Sequence, residues 1–223
     1  MKMQLSATYE PVKDAENYIR AIFDAAYMPH GYVGLTEKLL GMIEIAEIKD
    51  ILMRKGDRAE TMEKITVLLA ESHEGIALDE RARQLEDAWG HLGDQVIFQL
   101  EVLYGREWPF EAVHVDLTTL PICPYDFKAR RIFVNARLDV RCQLRILSHE
   151  LNHFLFYAAY SNDLFEKLGR EKFELLKESM TIFTNPEQVG KPNEEPLRKL
   201  YVDKGVMTIG EAVDAGVNFL LSG

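Results

Sequence analysis

An α+β fold, mostly helical and with a small antiparallel or mixed sheet, is what this 223-residue sequence predicts. Three observations predict it. Apolar residues recur at helical spacing over most of the chain, and strand-like alternation is confined to two short central stretches. An apolar content of 47% is also enough to fill a core.

Composition narrows the function classes. Twenty-six Lys and Arg against 36 Asp and Glu leave a net charge of −10, which repels a phosphate backbone, so no nucleic-acid partner is expected. The two cysteines, Cys123 and Cys142, can build neither a disulfide framework nor a four-cysteine zinc module, which points to a reducing compartment. MKMQLSATYE lacks the apolar stretch of a secretion signal, and no run approaches the roughly 18 apolar residues of a membrane span. The expectation is a cytoplasmic protein with no membrane partner.

The acids are concentrated at the front: residues 1–110 carry 20 acids and 12 bases, 111–160 five and six, and 161–223 eleven and eight. The nearly neutral centre is the expected place for substrate. Helical spacing marks Tyr18 to Ala26, Leu35 to Met53, Met62 to Leu69 and Leu85 to Leu103, with Gly31, Gly56, Gly75 and Gly105 between or after them. Ala112 to Leu117 (AVHVDL) and Arg131 to Ala136 (RIFVNA) read as strands, joined by a loop at Pro121, Pro124 and Tyr125-Asp126. A helix is expected from Asp139 to Tyr157 and another from Asp163 to Phe183 with a break at Gly169. A breaker cluster spans Thr184 to Pro196, and Thr208 with Glu211 forms a capping box ahead of a last helix over Ala212 to Leu221. This divides the chain into a helical N-terminal region, 1–110, packed as scaffold or partner-binding surface on a catalytic core, 111–223.

His149-Glu150-Leu151-Asn152-His153 is an HExxH sequence, whose i, i+4 spacing on a helix turns both imidazoles to one face, where they can share a metal, naturally zinc. On a helical wheel Val140, Leu144, Leu147, Leu151 and Phe154 form an ordinary core stripe. The two histidines point away from it, accompanied by Ile146, Phe156 and Tyr157, so the helix is expected between a packed layer and a cleft.

At these residues the chain resembles the zincin metallopeptidases, whose active-site helix carries HExxH after a small sheet. The resemblance implies zinc ligation by His149 and His153, with Glu150 as the general base that deprotonates a zinc-bound water. It also implies a third protein ligand. Phe156 and Ala159 stand where metzincins place glycine and a third histidine, and Cys123, in Pro-Ile-Cys-Pro, does not match the ligand motif of peptide deformylases. The gluzincins, which draw a glutamate from a following helix, are the branch this chain resembles best. Glu174 and Glu178 both face off the stripe of Phe173, Leu176, Met180 and Phe183. Glu178 is preferred because Glu-Ser-Met-Thr resembles the family's glutamate followed by small residues. Lys177 and Ile182 replace the Asn and Asp that flank this glutamate in thermolysin.

The resemblance implies more. Asn135-Ala136 is similar to the end of the substrate-lining edge strand of thermolysin-like enzymes, which pairs with an extended peptide. Tyr201, with Tyr157 behind it, is the candidate for steadying the oxyanion. Arg137, Arg141 and Arg145 recur every four residues and either bind a substrate carboxylate or pair with acids of the N-terminal helices; His30, His73, His91 and His114 lack ligand spacing.

The function implied is zinc-dependent hydrolysis of a peptide or protein substrate. The acidic N-terminal helices are a candidate surface for a protein partner. Two alternatives stand beside it: a zincin-fold regulatory protein with little catalysis, and a zinc hydrolase of non-peptide amides.

Overall fold

The computed structural model describes residues 3–23, 35–72, 77–186, 192–205 and 208–222. His30, His73, Gly31, Gly75 and the last residues of the Tyr18 to Ala26 helix lie outside them. The elements run β1 (Gln4–Thr8), α1 (Pro11–Phe23), α2 (Leu35–Met42), α3 (Ala46–Arg54), α4 (Arg58–Ser72), α5 (Leu78–Tyr104), β2 (Ala112–Thr118), β3 (Tyr125–Asp126), β4 (Arg131–Asn135), α6 (Val140–Ser179), a 3₁₀ turn (Met180–Phe183), α7 (Glu195–Lys204) and α8 (Ile209–Ser222). The fold is α+β and mostly helical, with a mixed four-stranded sheet. No helix among the described residues is long and apolar enough to cross a membrane.

The chain forms two compact units that do not follow a division at residue 110. One joins residues 4–91 to 112–144, and the other joins 92–111 to 145–223 together with the first three residues. The sheet explains the interleaving, because β1 pairs in parallel with β2, from Gln4 opposite Ala112 to Thr8 opposite Asp116.

In the sheet-bearing unit the strand order is β1-β2-β4-β3, with β2 and β4 parallel and β3 antiparallel to β4. Alternation places Val113, Val115 and Leu117 on one buried face of β2 in register with Leu5, Ala7, Ile132 and Val134. The helices of this unit close a core of Tyr18, Ile19, Ile22, Ile48, Leu52, Ile65, Leu69 and Leu120. The expected single helix from Leu35 to Met53 is two, α2 and α3, separated at residues 43–45. The Tyr125-Asp126 loop carries the two residues of β3.

A buried carboxylate fixes α1 to the end of β2. Asp14 accepts hydrogen bonds from the Thr118 hydroxyl (2.6 Å), the Thr119 hydroxyl (2.7 Å) and the Thr119 N–H (3.1 Å). The Asn17 amide adds a bond to Thr118 Oγ1 at 2.9 Å. Burial raises the Asp14 pKa above the usual carboxylate range, although the hydrogen bonds from Thr118 and Thr119 pull it down.

In the other unit α6 bends at Gly169, whose φ of 71° and ψ of 168° lie in a region nearly reserved for glycine. The break expected there is present, and it separates an arm over 140–168 from one over 170–179. Helix α7 starts inside the expected breaker cluster and runs on to Lys204, with proline in its first turn and Leu197 and Tyr201 buried one turn apart. Proline opens a helix as readily as it ends one, because its missing N–H has no intrahelical partner in the first turn. The capping box of α8 forms: the Glu211 N–H donates to Thr208 Oγ1 (3.2 Å) and the Thr208 N–H to Glu211 Oε2 (2.8 Å).

Three outcomes are expected from this architecture. Asp14→Ala strands buried donors and should cost about 2 kcal/mol in denaturant unfolding. Because the folded-state pKa of Asp14 is raised, its contribution to stability should fall as pH rises from the ordinary carboxylate pKa through the folded value, and Asp14→Asn should remove that component of the pH profile. Gly169→Ala should cost about 1–3 kcal/mol through backbone strain alone, since a Cβ there meets nothing within 4 Å.

Candidate metal centre

The HExxH sequence lies on the first arm of α6, which begins behind Asp139, whose carboxylate accepts the Cys142 N–H at 2.9 Å. Leu147, Leu151 and Phe154 are fully buried, as the core stripe requires. His149 is half-buried, His153 buried and Glu150 8% exposed. The two imidazoles meet edge to face at 84°, with their Nε2 atoms 3.0 Å apart. Ring nitrogens this close share either one proton or one cation.

Glu178 comes to this pair from the second arm. Its Oε1 lies 3.6 Å from His153 Nε2, and among the described residues His149, His153 and Glu178 form a group able to hold a metal ion, with ligand atoms all within 4.8 Å of one another. A tetrahedral ion with bonds of about 2.0–2.1 Å holds its ligands about 3.3 Å apart. The observed 3.0 and 3.6 Å bracket that spacing for the two pairs that include His153, and the third pair lies within 4.8 Å, so two imidazoles and one carboxylate can converge on one divalent ion. On a straight helix His153 and Glu178, 25 residues apart, would be separated by about 37 Å. The bend at Gly169 is what brings them together.

Glu174 is occupied elsewhere. Its Oε1 accepts the Tyr157 hydroxyl at 2.6 Å and its Oε2 the Lys177 ammonium at 2.7 Å. Small residues follow Glu178 and are buried: the Ser179 hydroxyl donates to the Leu176 carbonyl, and that of Thr181 to the Glu178 carbonyl, each at 2.7 Å.

Two supporting residues have no role predicted from the sequence. Asn152, inside the HExxH motif, is fully buried; its carboxamide oxygen accepts the Tyr104 hydroxyl, and its NH₂ donates to Thr184 Oγ1 at 2.9 Å and to the Met180 carbonyl at 3.4 Å. It ties the motif arm to α5 and to the 3₁₀ turn after Glu178. The hint in sequence is a polar residue beside Leu151 on the packed side of the helix. Lys177 is the other, with a side chain only 3% exposed.

Three further expectations take a different form. Asn135 and Ala136 end a strand that lies between β2 and β3, not at the edge of the sheet. Their N–H groups donate to Cys123 Sγ (3.2 Å) and the Thr118 carbonyl (2.8 Å), and the Asn135 carbonyl accepts from Gln143 at 3.0 Å. Those groups close the sheet and are not offered to an extended peptide. Tyr201 is 2% exposed, with its ring 5.5 Å from that of Phe183 and its hydroxyl in the space that a Cβ on Gly216 would need. Burial raises its phenol to about 12. Arg137 pairs with Glu44, the acid-pairing outcome for that arginine. His114 is tied into the sheet by Ser6 Oγ (2.8 Å) and Thr8 Oγ1 (3.2 Å).

No protein-family model matches the chain, and neither does any curated protein or solved structure.

Glu178→Ala should weaken divalent-metal binding by about 100-fold or more, whereas Glu174→Ala, which removes no ligand, should cost about tenfold or less. Chelator-competition titration of both variants at one pH is the check, and a larger loss at Glu174 would reverse the ligand assignment.

Proposed function

We propose that the chain is a zinc-dependent metallopeptidase of gluzincin type, acting in the cytoplasm on a peptide or protein substrate. The observation that carries the reading is the convergence of His149, His153 and Glu178, with ligand atoms within 4.8 Å of one another, and with Glu150 next to the first histidine on the same helix. Zinc suits the donor set, since two neutral imidazoles and a carboxylate are the ligands of many catalytic sites that keep a fourth position open. Bound there, zinc supplies Lewis acidity, which makes a water acidic near neutral pH and polarises the scissile carbonyl.

The protein's own residues carry the rest. Glu150 accepts the proton of the attacking water and returns it to the leaving amine nitrogen as the C–N bond breaks. His149 and His153 turn their imidazoles toward the site, and the buried stripe of Leu147, Leu151 and Phe154 locks the helix that aims them.

Glu150→Gln keeps the shape of the side chain but cannot accept a proton. It should retain about one zinc per chain while losing peptide hydrolysis by at least 100-fold. The double variant His149→Ala/His153→Ala should lose zinc altogether. Cleavage of a mixed peptide pool, followed by mass spectrometry beside metal analysis, reads both. Zinc-loaded wild-type protein that leaves every peptide intact would favour a regulatory role or a non-peptide amide substrate, and unchanged turnover by Glu150→Gln would remove Glu150 from the base role.

A further inference from the structure

We infer that Lys177 is a positioning residue for the third ligand, holding Glu178 against the histidine pair through a closed ring of side chains; this rests on the metal-site reading. A lysine is almost never buried without partners. The ammonium of Lys177 pairs with Glu174 Oε2 at 2.7 Å and with Glu178 Oε1 at 3.1 Å, and it also lies over the Tyr157 ring, 5.6 Å from its centroid.

The ring closes through the motif helix itself. Tyr157 stands one helical turn after His153, and its hydroxyl fixes the far side of Glu174 at 2.6 Å. From His153 the connection therefore runs along the helix to Tyr157, then to Glu174, Lys177 and Glu178, and back to His153 at 3.6 Å. The arm that carries the histidines thus determines where the glutamate of the other arm sits.

The oxygen that Lys177 touches is the one that faces His153. A carboxylate oxygen accepts in two directions, so a cation in one leaves the other for a metal and restrains the rotation of the carboxylate between them. Hydrogen bonds of this kind to ligating carboxylates commonly contribute about 10–100-fold to metal affinity. Lys177 stands where thermolysin has asparagine, and here the position supplies a charged support.

The test is chelator-competition titration with Zn²⁺, paired with the visible spectrum of the Co²⁺-loaded protein, on wild type, Lys177→Met, Tyr157→Phe and the double variant. Thermal unfolding of the metal-free proteins reports folding separately. Lys177→Met should weaken Zn²⁺ binding about 10–100-fold and alter the Co²⁺ spectrum. Tyr157→Phe, which keeps the ring under the ammonium and loses only the hydroxyl, should weaken binding several-fold, and the double variant should lose less than the product of the two. Should Lys177→Met fail to fold, Tyr157→Phe decides: weakened binding with unchanged unfolding supports the ring, and wild-type binding overturns it. Folded Lys177→Met that binds zinc as wild type does, or more tightly, also overturns it, because the lysine would then only neutralise two acids or compete with the metal. Wild-type protein that binds no zinc would overturn the metal-site reading itself, a result distinct from equal binding by wild type and variants.

Discussion

The reversal of α6 at Gly169 is the constraint on which the candidate centre depends. Two ligands come from one arm and the third from the other, and the arms are one continuous stretch of chain apart from a single residue with helix-forbidding dihedrals. A side chain there would force φ of about 70° on an L-residue, in a region where only glycine is comfortable. The space around it is open, so glycine is required by conformation and not by crowding. Local backbone geometry at one position therefore decides whether residues far apart along a helix become neighbours.

Polar side chains then complete what the bend begins. Asn152 fastens the motif arm to the turn after Glu178, and Tyr157, Glu174 and Lys177 fasten the same two segments along another path. Around them Phe156, Tyr157 and Phe165 pack their rings 5.3–5.6 Å from that of Phe173, the first two tilted and the third edge-on, in an aromatic cluster that spans the bend. Apolar packing gives the arms their separation, and the polar links set their register. This division of labour suits a site in which displacements of an ångström matter.

Features governed by local rules were legible in the sequence. The HExxH helix, its core stripe, the break at Gly169 and the Thr208-Glu211 capping box each depend on residues within a few positions of one another. The placement of Glu178 rather than Glu174 at the histidines was legible only through the small residues Ser179 and Thr181. Hidden were features that depend on distant partners. Strand β1 offers only Leu5 and Ala7 to the buried face, too short an alternation to stand out, and it becomes a strand because β2 is there to pair with it. Helix α7 was masked by Pro196, which reads as a breaker until its place in the first turn is known. Lys177 looks like an ordinary surface residue of a helix, and only the arms folding back on each other gives it partners, while the partners of Asn152 come from α5 and from the turn after Glu178. The interior place of β4 likewise depends on β3, two residues long and set among prolines.

The parallel pairing of β1 with β2 also bears on how the chain folds as it is made. Gln4 meets Ala112 across 108 positions of sequence, and closing a loop of that length costs about 4 kcal/mol of chain entropy by the (3/2)RT ln n rule. On the ribosome, residues 4–8 leave the exit tunnel long before their partner strand exists, so the sheet is a late product of folding and its first strand waits unpaired. One of the backbone donors of β1 has a partner that arrives sooner: the Ala7 N–H binds the Glu86 carboxylate at 2.7 Å. In the finished sheet β1 is an edge, and the same acid covers it at Ala7. A charged side chain over a backbone donor is one of the ways in which a sheet edge is kept from pairing with a strand of another chain.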